Sequence, residues 1–293
     1  MSNTSFRDWI DTVKETETRE MVTGLSVNTI VAIGAVIFMF PFFYMVITSS
    51  LPTSAVYDWP PRLLPGSLFA ENVMHVLTET RFPRTMANSL IYAVFGTLGV
   101  LITGTTAGYA FAKYSFPGKE PLFYLALITF AVPFQLLAIP LFELLVQFNL
   151  VDTYIGVILP VVINPIGVFF MRQNIEQTIL DDMLNSARLD GATEIQIFYK
   201  IVLPLLKPGL AALAILMFLL KMNTLFWPLV VLRSPEKHVM TVFLAQIKGG
   251  AFEPTNWSVV MPSALMATLP ILLIFIFLQK YFVKGLLAGS LKE

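Results

Sequence analysis

The chain has 293 residues, of which 56% are hydrophobic and 13% charged, with 25 Phe and a mean hydropathy of +0.74. Soluble proteins are about a quarter charged, so this composition belongs in a bilayer. Nineteen basic and 19 acidic residues cancel, which removes the electrostatic footprint of a nucleic-acid partner, and the absence of Cys excludes disulfides, thiol catalysis and Cys-ligated metals.

Residues 1–22 are mostly polar but place Phe6, Trp9, Ile10 and Val13 on one helical face, which predicts a short amphipathic helix lying on the membrane surface. Acidic residues crowd this segment, so it does not read as a signal peptide. Six apolar runs follow, each long enough to span: 27–47, 89–112, 121–148, 153–170, 208–232 and 259–278. The second carries Gly96, Gly99, Gly104 and Gly108, small residues that let neighbouring helices approach closely. The third contains Pro133 and Pro140, and the fourth Pro160, Asn164 and Pro165. Such breaks are tolerated where the freed backbone faces protein or a water-filled pathway, and they read either as kinks or as pathway lining. The outer loops are 48–87, Pro-rich with a short helix expected around 71–77, and 233–258; residues 149–152 form a tight turn and 280–293 a basic tail. Residues 23–293 thus form one six-span domain.

Between the fourth and fifth runs lies a charged island, 180–208, which organises the chain. Leu180, Met183, Leu184 and Ala187 fall at i, i+3, i+4, i+7 and predict one amphipathic helix. Asp190-Gly191 breaks it. A second helix opens at Thr193, with Gln196 at capping-box spacing, and carries Ile195, Phe198, Tyr199 and Val202 before Lys207-Pro208 closes the island. Placing both termini, the 113–120 turn and residues 171–207, which include the island, on one side gathers twelve Lys and Arg there against six opposite, which puts that side in the cytoplasm.

From Asn185 the chain reads Asn-Ser-Ala, three residues, Gly191, nine residues, then Ile201-Val202-Leu203-Pro204. This resembles the E-A-A-x3-G-x9-I-x-L-P signature of the permease subunits of binding-protein-dependent ABC importers, with Asn185 and Ser186 departing from its Glu and first Ala, and Ala187 and Gly191 kept. Further stretches are similar to the sugar-importing, maltose-type six-span branch: Asn88-Ser89-Leu90, residues 108–113, residues 116–119, Asn223 with Trp227-Pro228-Leu229, and residues 281–286. The resemblance implies an all-α integral membrane protein, the type I ABC importer permease fold, with six transmembrane helices and a cytoplasmic two-helix coupling loop over 178–208. It implies a prokaryotic inner-membrane location, half of an alternating-access pathway for a sugar or related polar solute, and several partners: a second, paralogous permease, a dimer of ATP-binding subunits, an extracytoplasmic solute-binding protein and membrane lipid. Coupling to the ATPase would rest on Asn185, Ser186, Ala187, Arg188, Asp190, Gly191, Phe198, Leu203 and Pro204.

No G-x-x-x-x-G-K-[ST] loop occurs, so ATP and Mg would be held by the partner subunit, with no cofactor, catalytic residue or metal on this chain. His75 and His238 lack ligand-spaced partners. Polar candidates within the spans are Gln135, Asn164, Lys221 and Asn223. Lys221 is too deep to reach water directly and needs a cavity, a carboxylate or the carbonyl end of a broken helix; substrate contact is the competing reading. Glu143, near the outer end of the third run, can snorkel. It is the one intramembrane carboxylate, which weakens the rival reading of a stand-alone secondary transporter or channel.

Overall fold

The computed structural model describes residues 4–249 and 255–290, with side chains over 27–249 and 255–280. Helix α1 (Thr4–Ser49) carries the first apolar run and the residues before it in one piece, so the expected surface helix and first span share a single backbone helix. The side chains of Phe6, Trp9, Ile10 and Val13, and those of the basic tail beyond Lys280, lie outside the described residues. A 3-10 turn, Thr53–Tyr57, leads to α2 (Phe69–Glu79), the short helix expected in the first outer loop. Helix α3 (Phe82–Lys113) then runs unbroken for 32 residues, about 48 Å at 1.5 Å per residue.

The next three runs are broken, and each break has a chemical cause. The third is two helices, α4 (Lys119–Ala131) and α5 (Phe134–Gln147), bent by 100° and not the single interrupted span expected. Val132 precedes Pro133, whose ring disfavours the α region for its neighbour, and Val132 is extended at φ −78°, ψ 122°. Pro140 sits inside α5 without ending it. The fourth run is α6 (Tyr154–Val162) and α7 (Pro165–Thr178), bent by 44° at Ile163-Asn164 and continuing past the expected end at 170. Then come α8 (Asp181–Leu189), α9 (Glu194–Ile197), a π-helical turn over Phe198–Val202, and α10 (Leu203–Leu205), which meets α11 (Lys207–Met222) at 73°. The fifth span ends at Met222, not at 232. Asn223–Leu225 leave the helix and α12 (Phe226–Val231) is a separate turn and a half. Pro228 is the reason: it has no N–H for the Thr224 carbonyl four residues back, and that carbonyl instead accepts the Thr241 hydroxyl at 2.7 Å. A 3-10 turn at Pro235–Lys237, then α13 (Met240–Ile247) and α14 (Trp257–Ser290) complete the chain.

Helix α3 is the axis on which the others assemble, and its glycines set the distance. A Cβ on Gly104 would stand 2.9 Å from the Gly167 carbonyl carbon of α7, and one on Gly108 would stand 2.9 Å from the backbone N of Arg172. Gly99 likewise abuts Val162, whereas Gly96 faces the stem of Lys221. Backbone contact between helices replaces the hydrophobic drive that lipid removes. At the Lys113 end of α3, Tyr109 packs with Met171, Ile175, Leu184, Ile197, Val202 and Leu206; at the other end, Tyr92 packs with Val157, Trp227, Val231 and Val239. These two cores mark opposite ends of the molecule. Glu120 at the start of α4 bonds Arg172 at the first end, while Asp152, just past α5, accepts from the Ser234 backbone at the second, so the bent α4–α5 pair traverses the molecule once.

Candidate functional site

The island forms a knob beyond the Lys113 end of α3. Asp181 and Asp182 in the first turn of α8 suit the positive end of that helix, and Leu184 and Ala187 face inward. The helix closes with Asp190 as cap, and Gly191 follows at φ +82°, with its N–H on the Arg188 carbonyl and that of Ala192 on the Ala187 carbonyl, both 3.0 Å. The capping box is present in both directions: Gln196 N–H donates to the Thr193 hydroxyl at 3.3 Å, and Thr193 N–H to the Gln196 side chain at 2.9 Å.

Two clamps hold the knob to the spans. The Lys113 ammonium donates to the Ile179 carbonyl at 2.6 Å and to Asp181 at 2.7 Å, tying the end of α3 to the start of α8. The hydrogen bond and charge of Lys113 hold the Asp181 carboxyl below its ordinary value. Across the hinge, Arg188 donates to Glu194 from Nε at 2.7 Å and from Nη2 at 3.3 Å, and the Tyr114 hydroxyl donates to the same carboxylate at 2.7 Å. These bonds, Arg188 first and Tyr114 second, keep the Glu194 carboxyl below the usual glutamate range. Asn185 joins by accepting Arg188 Nη1 at 2.9 Å. The Phe198 ring lies tilted against Tyr109 at 5.2 Å, itself 5.6 Å from Tyr114. Ser186 donates to the Asp182 carbonyl within its own helix.

The inward face differs from the one that periodicity predicts. Leu184, Ala187 and Val202 are buried as expected, and so is Ile197, but Leu180 is 66%, Ile195 71% and Tyr199 64% exposed, with Leu189 at 89%. Leu180 precedes the helix, and the wide π turn shifts the register after Ile197. Pro204 lacks the N–H that the Lys200 carbonyl would use, and the turn is closed instead by Leu203 N–H on the Phe198 carbonyl. Consequently Val202 and Leu206, not Leu203 and Pro204, are the fully buried anchors. The joint to α11 keeps two helical bonds, Leu206 N–H to Val202 at 3.0 Å and Leu210 N–H to Leu206 at 2.8 Å, while Pro208 has no N–H for the Pro204 carbonyl. The knob is therefore a stiff body with an outward apolar face.

The three helix breaks come together at the second core. Phe134, opening α5, meets Trp227 of α12 edge-on at 5.4 Å, and Trp227 Nε1 donates to the Val157 carbonyl of α6 at 3.1 Å. Lys221, 8% exposed, reaches the Val161 carbonyl at 3.4 Å, so of the settings open to it the carbonyl end of a broken helix is the one found. Pro165 explains that carbonyl, because it stands four residues on and has no N–H to give. The next carbonyl, Val162, takes the Thr103 hydroxyl at 2.6 Å, while Asn164 caps α7 by accepting Ile166 N–H at 3.0 Å and Gly167 N–H at 3.2 Å. Asn223 closes α11 through its amide on the Leu219 carbonyl at 2.8 Å. Gln135 is exposed beside the α4–α5 break, and Glu143 is exposed further along α5. Among the described residues no cluster of three His, Asp or Glu could hold a metal.

At the far end, Asp152 adopts φ +58° and clamps the loop that follows α12. Its carboxylate accepts the N–H groups of Arg233 and Ser234, each at 3.0 Å, together with the Ser234 hydroxyl and Lys237 at 3.0 Å. Burial alone would raise its pKa, but these bonds outweigh it and hold the carboxyl well below the usual range. Asn88 similarly donates to the carbonyls of Glu236 at 2.8 Å and His238 at 2.9 Å and accepts the Tyr154 hydroxyl.

Residues 101–287 match the model of a family described as binding-protein-dependent transport system inner membrane component. An arabinooligosaccharide transport system permease of Halalkalibacterium halodurans is 36% identical over 263 residues, covering 88% of this chain and 92% of the relative. A lactose transport system permease of Rhizobium radiobacter is 31% identical over 277 residues, 94% and 99% of the two chains. An sn-glycerol-3-phosphate transport system permease of Yersinia pestis is 29% identical over 260 residues, 87% and 92%. Among solved structures, a bacterial ABC transporter involved in the import of the acidic polysaccharide alginate superposes with a TM-score of 0.77 at 26% identity, covering 90% of this chain and 98% of the other.

Proposed function

The chain belongs to the family of binding-protein-dependent transport system inner membrane components and has the type I ABC importer permease fold, and on that premise we propose that it forms one half of a translocation pathway for a carbohydrate or carbohydrate-like solute. The relatives named for arabinooligosaccharides and lactose support the solute class. A second permease supplies the other half, a solute-binding protein delivers at the Asp152 end, and a pair of ATP-binding subunits docks on the knob. ATP is hydrolysed on those subunits and not on this chain. The knob side and both termini face the cytoplasm, in keeping with the Lys and Arg bias.

The observation that carries this reading is the knob itself. Its apolar residues Leu180, Leu189, Ile195 and Tyr199 point away from the fold, yet its backbone is clamped by Lys113, Glu194 and the hydrogen-bonded corner into α11. A surface built to be pushed must be both sticky outside and stiff behind, and this one is. The test is reconstitution with the second permease, the ATPase pair and the binding protein: sugar uptake should require ATP and the binding protein, and the ATPase should co-purify with the chain. Uptake by the chain alone, driven by an ion gradient, would overturn the proposal. Orientation is checked in the Cys-free background, where a cysteine at Ser186 should react only from inside and one at Arg62 only from outside.

A further inference from the structure

A proline-made orphan carbonyl and a nearly bare ammonium meet at the level of the helix breaks, and what links them to the knob is α11. The Val161 carbonyl has lost its helical donor to Pro165, so some other group must satisfy it. Lys221 does so at 3.4 Å, the long end of the hydrogen-bond range, whereas Thr103 holds the neighbouring Val162 carbonyl at 2.6 Å. The last two carbonyls of α6, side by side at the break, are thus fixed unequally, Val162 firmly to α3 and Val161 loosely to α11. Among the described residues, the Lys221 ammonium has this one hydrogen bond and no ion pair, although nine-tenths of the residue is buried. A buried cation with so little compensation is held near its tipping point. Its stem lies along Gly96, where even an added Cβ would stand 3.6 Å away, so position 96 of α3 puts no side chain in the path of its withdrawal.

We propose that the Lys221–Val161 contact is a latch that the knob opens: turning the knob tilts α11, withdraws Lys221, and frees the α6–α7 break at Ile163-Asn164 to bend. Lys221 is a positioning residue for transport, acting through Val161. The lever is long enough. From Lys207 to Lys221 is about 21 Å at 1.5 Å per residue, so a tilt of about 5° moves the ammonium by about 2 Å and breaks a bond already at its limit. The joint transmits the tilt because Leu206 and Leu210 keep their helical bonds through the 73° corner. The inference rests on the ATP-driven transport reading above.

The experiment uses the complete importer in proteoliposomes with Lys221→Met, Lys221→Arg, Pro165→Ala and the Lys221→Met/Pro165→Ala pair, measuring uptake and ATP hydrolysis with and without binding protein. Without the latch, Lys221→Met should hydrolyse ATP several-fold faster than wild type in the absence of binding protein and carry several-fold less solute per ATP, with Lys221→Arg restoring the wild-type ratio. Pro165→Ala restores the N–H four residues beyond Val161, a helical donor that Val161 gains as Ile163 and Asn164, extended at the break, turn helical. Alone it should stiffen the break and cut uptake several-fold in a normally assembled complex; combined with Lys221→Met it should return the unstimulated hydrolysis to the wild-type level. Wild-type coupling in Lys221→Met, or wild-type uptake in Pro165→Ala, overturns the latch, and the second result decides even if Lys221→Met fails to assemble. A wild-type complex that shows no ATP-dependent uptake would refute the transport reading instead.

Discussion

Gly191 is the hinge of the knob, and its replacement gives a quantity that can be worked out beforehand. Its φ of +82° lies where L-residues are strained, but nothing stands within 4 Å of an added Cβ, so the penalty of a substitution is conformational and not steric. That penalty is about 1–2 kcal/mol for Ala, greater for a β-branched residue, and smallest for Asn, which visits this region most readily. One to two kcal/mol disfavours the native hinge by about 5–30-fold. Relaxing φ breaks the Ala192–Ala187 bond and swings α9 relative to α8, while Leu184 and Ile197 keep the knob attached. Uptake and binding-protein-stimulated hydrolysis should fall in the order Asn, Ala, Val, with Gly191→Asn close to wild type and the six spans inserted throughout. Gly191→Asp shares the backbone tolerance of Asn but sets a second charge beside Asp190, so the difference between the two variants isolates charge from strain. Asn185→Glu, which adds a carboxylate beside Arg188, should be mild by comparison. Wild-type transport by Gly191→Val, or equal loss in Gly191→Asn and Gly191→Val, would refute this account of the hinge.

Asp152→Asn removes a charged acceptor of four donors at the far end and should cost about 1–3 kcal/mol, read as a lower melting temperature in detergent; an unchanged melt would show the clamp to be ornamental. Gly104→Val forces a side chain against the Gly167 backbone and should destabilise by at least about 1–3 kcal/mol, with α3–α7 packing reported by the same melt and no loss as the refuting result. The knob should also respond to pH with a definite sign. Because the folded Glu194 carboxyl is depressed by Arg188 and Tyr114, its contribution is complete above the unfolded glutamate value of about 4.3 and is lost as pH falls through the lower folded value. Protection from hydrogen exchange over 191–197, corrected for the intrinsic pH dependence of exchange, should therefore stay high at pH 5 and fall only below that range, and Glu194→Gln should shrink the step to the part owed to Asp181 and Lys113.

Hydropathy located the apolar runs, and the capping box and Gly191 were readable residue by residue because each rests on local backbone chemistry. What could not be read was where an apolar run stops being a helix. Residues 208–232 are continuously apolar, yet α11 ends at Met222 because Pro228 withdraws a donor that only Thr241, on a distant helix, replaces. Pro133 announced a break without its 100° angle, which depends on what α5 packs against. The knob misled in the opposite way: Leu180, Ile195 and Tyr199 obey helical spacing but face outward, since periodicity marks an apolar face without saying whether the fold or a partner covers it. The stretches that carried the family resemblance turned out to be joints. Asn88 and Ser89 hold the backbone around residues 236–240, Lys113 holds α8, and Trp227 holds α6. The partners of those joints lie far away in sequence and were not legible.

Helix α1 leans on α14 and, at its end, on α2, where Asn72 grips the carbonyls of Ser49 and Leu51. Its main neighbour is thus a helix made long after it, and only 6% of its apolar window is buried within the chain. About 200 residues separate Ser49 from Trp257, which at about 5–20 residues per second is on the order of ten to forty seconds of synthesis. For that interval the first span stands in the membrane with nothing to lean on but lipid and the grip of Asn72. A charged side chain there would meet only lipid in that interval, and residues 27–49 contain not one Asp, Glu, Lys or Arg. The composition of this helix is set as much by the order in which the ribosome delivers the chain as by the fold in which it ends.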